Sequence, residues 1–313
     1  MLPFVFWRLL ASIPVMALVA LLVFSMLYLT PGDPAAVLGG ETATDADILN
    51  IRESLGLNGG YFERLARWSM ALLQGDLGNS IFTKTPVLDT IMARLEPTAS
   101  LMALTCIIAV VVAVPLGVVA AWKRGTVLDK FVVGGAVLGT SVPVFVMGYV
   151  LAYVFSVKLG WFPVQGYSPL ASGIDRWFMS LLLPAIVLSL AFIASIARIT
   201  RATMLETLSQ DYIRTARAKG MPEDVVLFVH GLRNSAVPVL TVIGQGVVML
   251  IGGAVVTETV FSIPGVGRLT ADAIFQRDYP IIQGIVLMFS FAYVLVNLVI
   301  DVFYAAMDPQ MRR

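Results

Sequence analysis

Apolar stretches fill most of this chain, and charge punctuates it. Cutting at every Asp, Glu, Lys and Arg leaves six long uncharged runs: 9–32, 97–122, 131–157, 177–197, 234–257 and 279–300. A membrane-spanning helix needs roughly 20 predominantly apolar residues. No other uncharged run reaches about 18, so the pattern predicts six spans. The first run follows Arg8, as a signal peptide would, but its apolar stretch 9–29 exceeds the roughly 7–15 residues of a signal core. It ends in Tyr28-Leu29-Thr30, without a small-residue cleavage pattern, and is read as a retained span.

Between the first two runs lies a polar interval, 33–96, with a helical stretch at 61–73 between turn signals at Gly59-Gly60 and Gly75-Asp76. It reads as a small outer domain, either packed as a cap on span ends or open to an external partner. Inside the runs, Pro115, Pro143, Pro184 and Pro238 interrupt spans. Gly135, Gly139, Gly244, Gly246, Gly252 and Gly253 offer close approach between helix backbones.

Composition strengthens the membrane reading. The chain of 313 residues is 58% hydrophobic and only 13% charged, with a mean hydropathy of +0.87. A soluble domain carries about a quarter charged residues. A net charge of +1 argues against a nucleic-acid partner. One cysteine, Cys106, and one histidine, His230, exclude an internal disulfide and leave almost no ligands for a metal site. Lys and Arg orient the spans. With the N-terminus cytoplasmic, the inner side holds twelve basic residues (Arg8, Lys123, Arg124, Lys130, Arg198, Arg201, Arg214, Arg217, Lys219, Arg233, Arg312 and Arg313). The short outer loops hold four, Lys158, Arg176, Arg268 and Arg277. Both termini are then cytoplasmic.

Ionisable residues inside a membrane point to ion or proton pathways. Here Glu258 and Asp301 fall at span ends and none falls at mid-depth. No phosphate-binding G-x4-G-K-[ST] loop, H-E-x-x-H or G-x-S-x-G occurs. The chain is therefore read as neither an enzyme nor a proton-coupled carrier, and as drawing its energy from elsewhere.

One compact charged insert stands out on the cytoplasmic side, within 205–233. Its first piece, 204–219, is predicted to continue the fourth span as a helix until Gly220 breaks it, with Thr215, Ala216, Ala218 and Gly220 forming a small-residue patch. Its second piece starts at Pro222, with Glu223 and Asp224 in the first turn, and is predicted to stop at Gly231. His230 and Arg233 supply positive charge and donors near that end. A helix of about nine residues is marginal in water and must dock on something. The bilayer surface and a groove on a separate cytoplasmic protein are both open.

The insert resembles the cytoplasmic signature E-A-A-x3-G-x9-I-x-L-P of the membrane subunits of ABC importers. Arg214-Thr215-Ala216-x3-Gly220-x9-His230-x-Leu232-Arg233 occupies the same frame. "LTPGDP" (29–34), "GDLGNS" (75–80), "DYIRTARAKG" (211–220), "LRNSAVPV" (232–239), "ETVFSIPGVGRL" (258–269) and "YAAMDPQMR" (304–312) are similar to the first of the two permeases in the peptide branch. The resemblance implies an all-α type I importer permease in the bacterial cytoplasmic membrane. Its divisions would be a first helix with its cytoplasmic lead (1–30), an extracytoplasmic domain (31–96) and a five-helix core with the coupling loop (97–313). It implies a homologous second permease, two ATP-binding subunits that hold ATP and Mg, an external solute-binding protein and surrounding lipid as partners. No cofactor belongs to this chain itself.

By this resemblance Asp211, Arg214, Thr215, Ala216, Arg217, Gly220, Pro222, Glu223 and His230 form the ATPase-coupling loop. Short peptides are the expected cargo, with glutathione or a nickel chelate as alternatives. A self-sufficient channel or secondary carrier, and an export or scaffold role, are the readings outside this class.

Overall fold

Every regular element is helical among the described residues, except one isolated antiparallel bridge between Asn79 and Pro86. The computed structural model describes residues 2–29, 44–54 and 59–307. The "LTPGDP" stretch beyond Leu29 and the chain after Met307 lie outside them.

The helices are α1 (Leu2–Leu29), α2 (Asp45–Ser54), α3 (Tyr61–Leu73), α4 (Val87–Met92), α5 (Leu95–Trp122), α6 (Val127–Ser141) and α7 (Val144–Leu151). Then come α8 (Ile174–Leu208), α9 (Asp211–Ala218), α10 (Arg233–Val260), α11 (Val266–Gln276) and α12 (Tyr279–Met307). Two π-helical segments join the set: Ala152–Lys158 extends α7, and Val225–Leu232 leads into α10. Among the described residues five helices are long and apolar enough to cross a membrane: Phe6–Met26, Val87–Trp122, Ile174–Leu208, Val225–Val260 and Tyr279–Phe303. The bent pair Val127–Ser141 and Val144–Lys158 makes six if it counts as one span.

Of the four prolines expected to interrupt spans, one does. Val142 is extended (ψ 125°) ahead of Pro143, as the residue before a proline prefers, and the chain bends by 102° there. Pro115, Pro184 and Pro238 sit inside α5, α8 and α10, which run on past them. A single lost backbone donor is tolerated in a helix whose neighbours are packed against it.

The chain forms two compact units. The first comprises 1–5, 96–268 and 295–313. Its centre is α8, whose Leu181, Leu183, Val187, Leu188, Phe192 and Ile196 are buried with Leu101 and Leu104 of α5 and Val239 and Leu250 of α10. Small residues let these helices meet. A Cβ on Gly246 would overlap the Phe192 ring, and one on Gly253 would lie 2.6 Å from Leu188 Cδ1. A Cβ on Gly117 would lie 2.8 Å from the Ala197 carbonyl oxygen, so its absence lets α5 approach α8, and Gly244 makes room for Ile300. Gly135 and Gly252 face open space, so the close-approach reading holds for only part of the glycine set.

Glu258, in the last turn of α10, is fully buried. Its carboxylate accepts from Thr98 Oγ1 (2.6 Å) and from the backbone N–H of Arg268 (2.9 Å). Thr98 Oγ1 in turn accepts from the N–H of Val266 at 2.8 Å. These are first-turn donors of α11, which have no intrahelical partner, so the acid and the hydroxyl cap that helix. Gly265 and Gly267 border the carboxylate, where neither has room for a Cβ. In the loop ahead of α8, Tyr167 donates to Glu96 Oε1 (2.9 Å), the Leu170 N–H does the same (3.0 Å), and burial pushes the Tyr167 phenol up.

The second unit comprises 6–95 and 269–294. In it α3 lies against α1: Phe24 packs on Tyr61 and Trp68 at ring-centre distances of 5.6 and 5.3 Å, and Ser25 Oγ is 2.8 Å from the Tyr61 hydroxyl. Asp278 accepts from Ser80 Oγ (2.5 Å) and from the Ile81 N–H (3.2 Å). Gly284 of α12 leaves no room for a Cβ beside Val87 (2.6 Å). The described part of the polar interval is therefore folded onto α1 and the start of α12. Its helix and both turns fall where the sequence places them, with Gly59 and Gly75 at φ +118° and +82°.

Candidate functional site

The charged insert folds as a helical hairpin at the end of α8. The expected continuous helix 204–219 is broken: α8 stops at Leu208, Gln210 is extended (ψ 151°), and α9 starts afresh at Asp211. Ser209 Oγ closes α8 on the Glu206 carbonyl at 2.7 Å. Serine and glutamine side chains weaken a helix little on their own, so this break is set by packing. It turns Ile213 and Ala216 inward onto Val226, with Leu208 and Met221 alongside.

Gly220 takes φ +74° in a Schellman stop. The Gly220 N–H donates to the Arg217 carbonyl (2.9 Å), the Met221 N–H donates to the Ala216 carbonyl (3.3 Å), and Met221 adds the apolar contact that accompanies such motifs. A Cβ at Gly220 would meet nothing within 4 Å. The glycine is required for its left-handed backbone and not for close approach. Gly220→Ala should therefore lose nearly as much as Gly220→Trp, about 1 kcal/mol of local stability in each case. Hydrogen exchange across 211–225 would measure it, and a large excess for Trp would contradict this account.

The second expected helix does not stop at Gly231. From Val225 the chain winds through the π-helical segment directly into α10, giving one apolar rod, Val225–Val260. Gly231 is buried against Met204, where a Cβ would come within 2.8 Å of its Cε. Glycine inside a helix costs only about 1 kcal/mol, and here that cost is offset by the contact.

The nine residues singled out divide into three groups. Asp211, Arg214, Thr215, Arg217, Gly220 and Pro222 are exposed. Arg214 pairs with Asp211 (3.3 Å), and Arg217 reaches across the turn to Glu223 (2.7 Å), which is partly covered. Ala216 is buried in the hairpin, so it holds the turn's own packing and is not part of an outer small-residue patch. His230 sits half-buried in the π-helical segment, and its Nε2 is buried without a hydrogen-bond partner. Exposed beside the polar face are Tyr212, Phe228 and Val229. Tyr212 also accepts from Asn234 Nδ2 (2.9 Å), which ties α9 to the base of α10.

Two buried polar sites were not foreseen: the Glu258 cap, and an ion pair between Asp129 and Arg201. Asp129 is the only acid between Glu96 and Asp175, flanked by Lys123, Arg124 and Lys130. A lone acid in a basic turn was its only sequence signal. Among the described residues no cluster of three or more His, Cys, Asp or Glu could hold a metal ion.

Residues 113–313 match the family described as "Binding-protein-dependent transport system inner membrane component", well over half of the chain. The chain belongs to that family. Residues 1–102 of the permease match its N-terminal counterpart, "Binding-prot-dependent transport system membrane comp, N-term". The permease is 50% identical over 305 residues to a protein of Sinorhizobium fredii named as a peptide ABC transporter permease, covering 97% of each chain. It is 41% identical to the glutathione transport system permease of Escherichia coli, covering 100% of this chain and 99% of that one. Among solved structures it is similar in fold to a chain of the inward-facing MetNI methionine ABC transporter, with a TM-score of 0.59 at 15% identity over 71% of this chain and 97% of that one.

Proposed function

We propose that this permease forms one half of the translocation pathway of an ATP-driven importer of short peptides. The observation that carries this reading is 50% identity over 97% of the chain to a peptide permease, reinforced by the full-length likeness to a glutathione permease. Glutathione is itself a tripeptide, so both relatives point to a small peptide backbone as cargo.

The remaining parts combine the charge pattern of the chain with what an importer permease of its family implies. It lies in the bacterial cytoplasmic membrane with both termini inside, since that orientation puts twelve basic residues on the inner side against four in the short outer loops. The outer domain 31–96 then faces the solute-binding protein. The 97–313 core pairs with a homologous second permease. The hairpin of α9 and the following turn is the joint to two ATP-binding subunits. Its exposed ion pairs and Tyr212, Phe228 and Val229 offer a mixed polar and apolar surface to a protein groove. ATP and Mg belong to those partners, and this chain performs no hydrolysis.

Co-expression with its operon neighbours, purification and reconstitution test the reading. The permease should bring down a second permease and two ATP-binding subunits. The liposomes should accumulate di- to pentapeptides only with ATP and binding protein. Uptake by the permease alone would establish a self-sufficient carrier, and uptake of a metal chelate instead of peptides would reassign the cargo.

A further inference from the structure

Asp129 is buried where the sequence places a charged loop. Its side chain is 6% exposed and that of Arg201 25%. Arg201 Nε donates to Oδ1 (2.5 Å) and Nη2 to Oδ2 (2.8 Å), while the Gly125 N–H also donates to Oδ2 (2.9 Å). This is the two-pronged guanidinium–carboxylate geometry that fixes orientation as well as distance. Asp129 is in the first turn of α6, so a helix-capping role could explain the acid alone. Capping needs no arginine from another helix, and it does not explain the burial.

What the pair connects is more telling. On either side of Arg201, α8 is held: Gly117 brings α5 against Ala197 and Thr200, and buried Met204 packs with Val118 and Ala121 of α5 and with Leu227 of the π-helical segment. That end of α8 and the hairpin beyond it therefore move as one piece. Beside the contact between α6 and α8 an apolar groove of about 810 Å³ opens among α5, α6 and α8, lined by Leu116 and Val119, by Phe131 and Val132, and by Leu190 and Ile193. Towards its far end α6 comes close to α8, where a Cβ on Gly139 would lie 3.2 Å from the Leu190 carbonyl oxygen. So α6 rests on α8 along its length, and the ion pair at Asp129 fixes its first turn to the stretch of α8 that leads into the hairpin. Beyond Gly139, α6 runs into the 102° break of the third span.

We infer that Asp129 and Arg201 are a positioning pair that carries the displacement of the 209–225 hairpin into the broken third span. With the pair made, α6 follows α8. Without it, the first turn of α6 is no longer locked to α8 beside the hairpin, and part of the hairpin's displacement is lost before it reaches the third span. This rests on the importer reading above, because only there does the hairpin receive work.

The test uses the whole reconstituted complex and reads peptide taken up per ATP hydrolysed. Asp129→Asn keeps the shape and removes the charge; it should lower that ratio about tenfold while the complex still assembles and hydrolyses ATP. Arg201→Lys keeps the charge but loses the fork and should lower it about threefold, so the test survives a failure of Asp129→Asn to assemble. Asp129→Glu should recover most of the ratio. An unchanged ratio in the intact variants overturns the inference, as does a defect confined to the amount of complex recovered. If the unsubstituted complex shows no ATP-driven uptake, the importer reading falls and takes this inference with it. Normal uptake together with unaffected variants removes this inference alone.

Discussion

Replacing Glu258 with Ala should lower the stability of the permease by about 3 kcal/mol, with the apparent melting temperature in detergent falling by at least ~5 °C. The carboxylate accepts from Thr98 Oγ1 and the Arg268 N–H inside a pocket with no exposed surface. Truncation leaves those donors without their acceptor and opens a void that Gly265 and Gly267 cannot fill. Glu258→Gln fills the void and offers one carbonyl oxygen, so it should cost less than half as much. Melting curves of the two variants side by side decide the matter. Equal stability of Ala and the unsubstituted protein would mean that the cap is not needed to hold α11.

The second large effect is expected at Gly246, where even a methyl group would occupy the space of the Phe192 ring. Gly246→Ala should separate α10 from α8 and cost about 3 kcal/mol, near the upper end for an overpacked core. The companion Phe192→Ala leaves a cavity and is itself destabilising. The double variant should be more stable than Gly246→Ala alone, because the methyl group then has somewhere to go. Trypsin resistance of the membrane-embedded chain, together with its melting temperature, would report both. Additive losses in the double variant would show that the two residues are not in register.

Spans, the helix at 61–73 and the turns beside it were legible because each rests on a local rule. Twenty apolar residues form a helix in lipid whatever surrounds them, and glycine at a positive φ marks a stop wherever it occurs. The hairpin was located correctly but its interior was not. The break at 209–210 and the continuation through Gly231 depend on what Ile213, Met204 and Val226 pack against, and no spacing rule contains that information. The same holds for the buried polar groups. Thr98 and Glu258 are separated by 160 residues, and Asp129 and Arg201 by 72. A carboxylate reads as a surface charge until its partner is known. Prolines misled in the opposite direction. Pro115, Pro184 and Pro238 are helix breakers by local rule, but the close neighbours of α5, α8 and α10 keep those helices whole.

The π-helical segment at Val225–Leu232 has a consequence for how chains of this kind can differ in length. Each of its turns takes in about one residue more than an α-turn does. Deleting one residue there would tighten the winding instead of cutting the helix, so the tighter turn would take up the loss and the two sides would keep close to their present angular phase. The π-helical segment and α10 form the one rod Val225–Val260, and the phase between hairpin and membrane helix is set by this segment's backbone hydrogen bonds. An insertion or deletion at this point would be silent in hydropathy and in helix content. The same deletion within the α-helical part of the rod would re-aim the hairpin by roughly 100°.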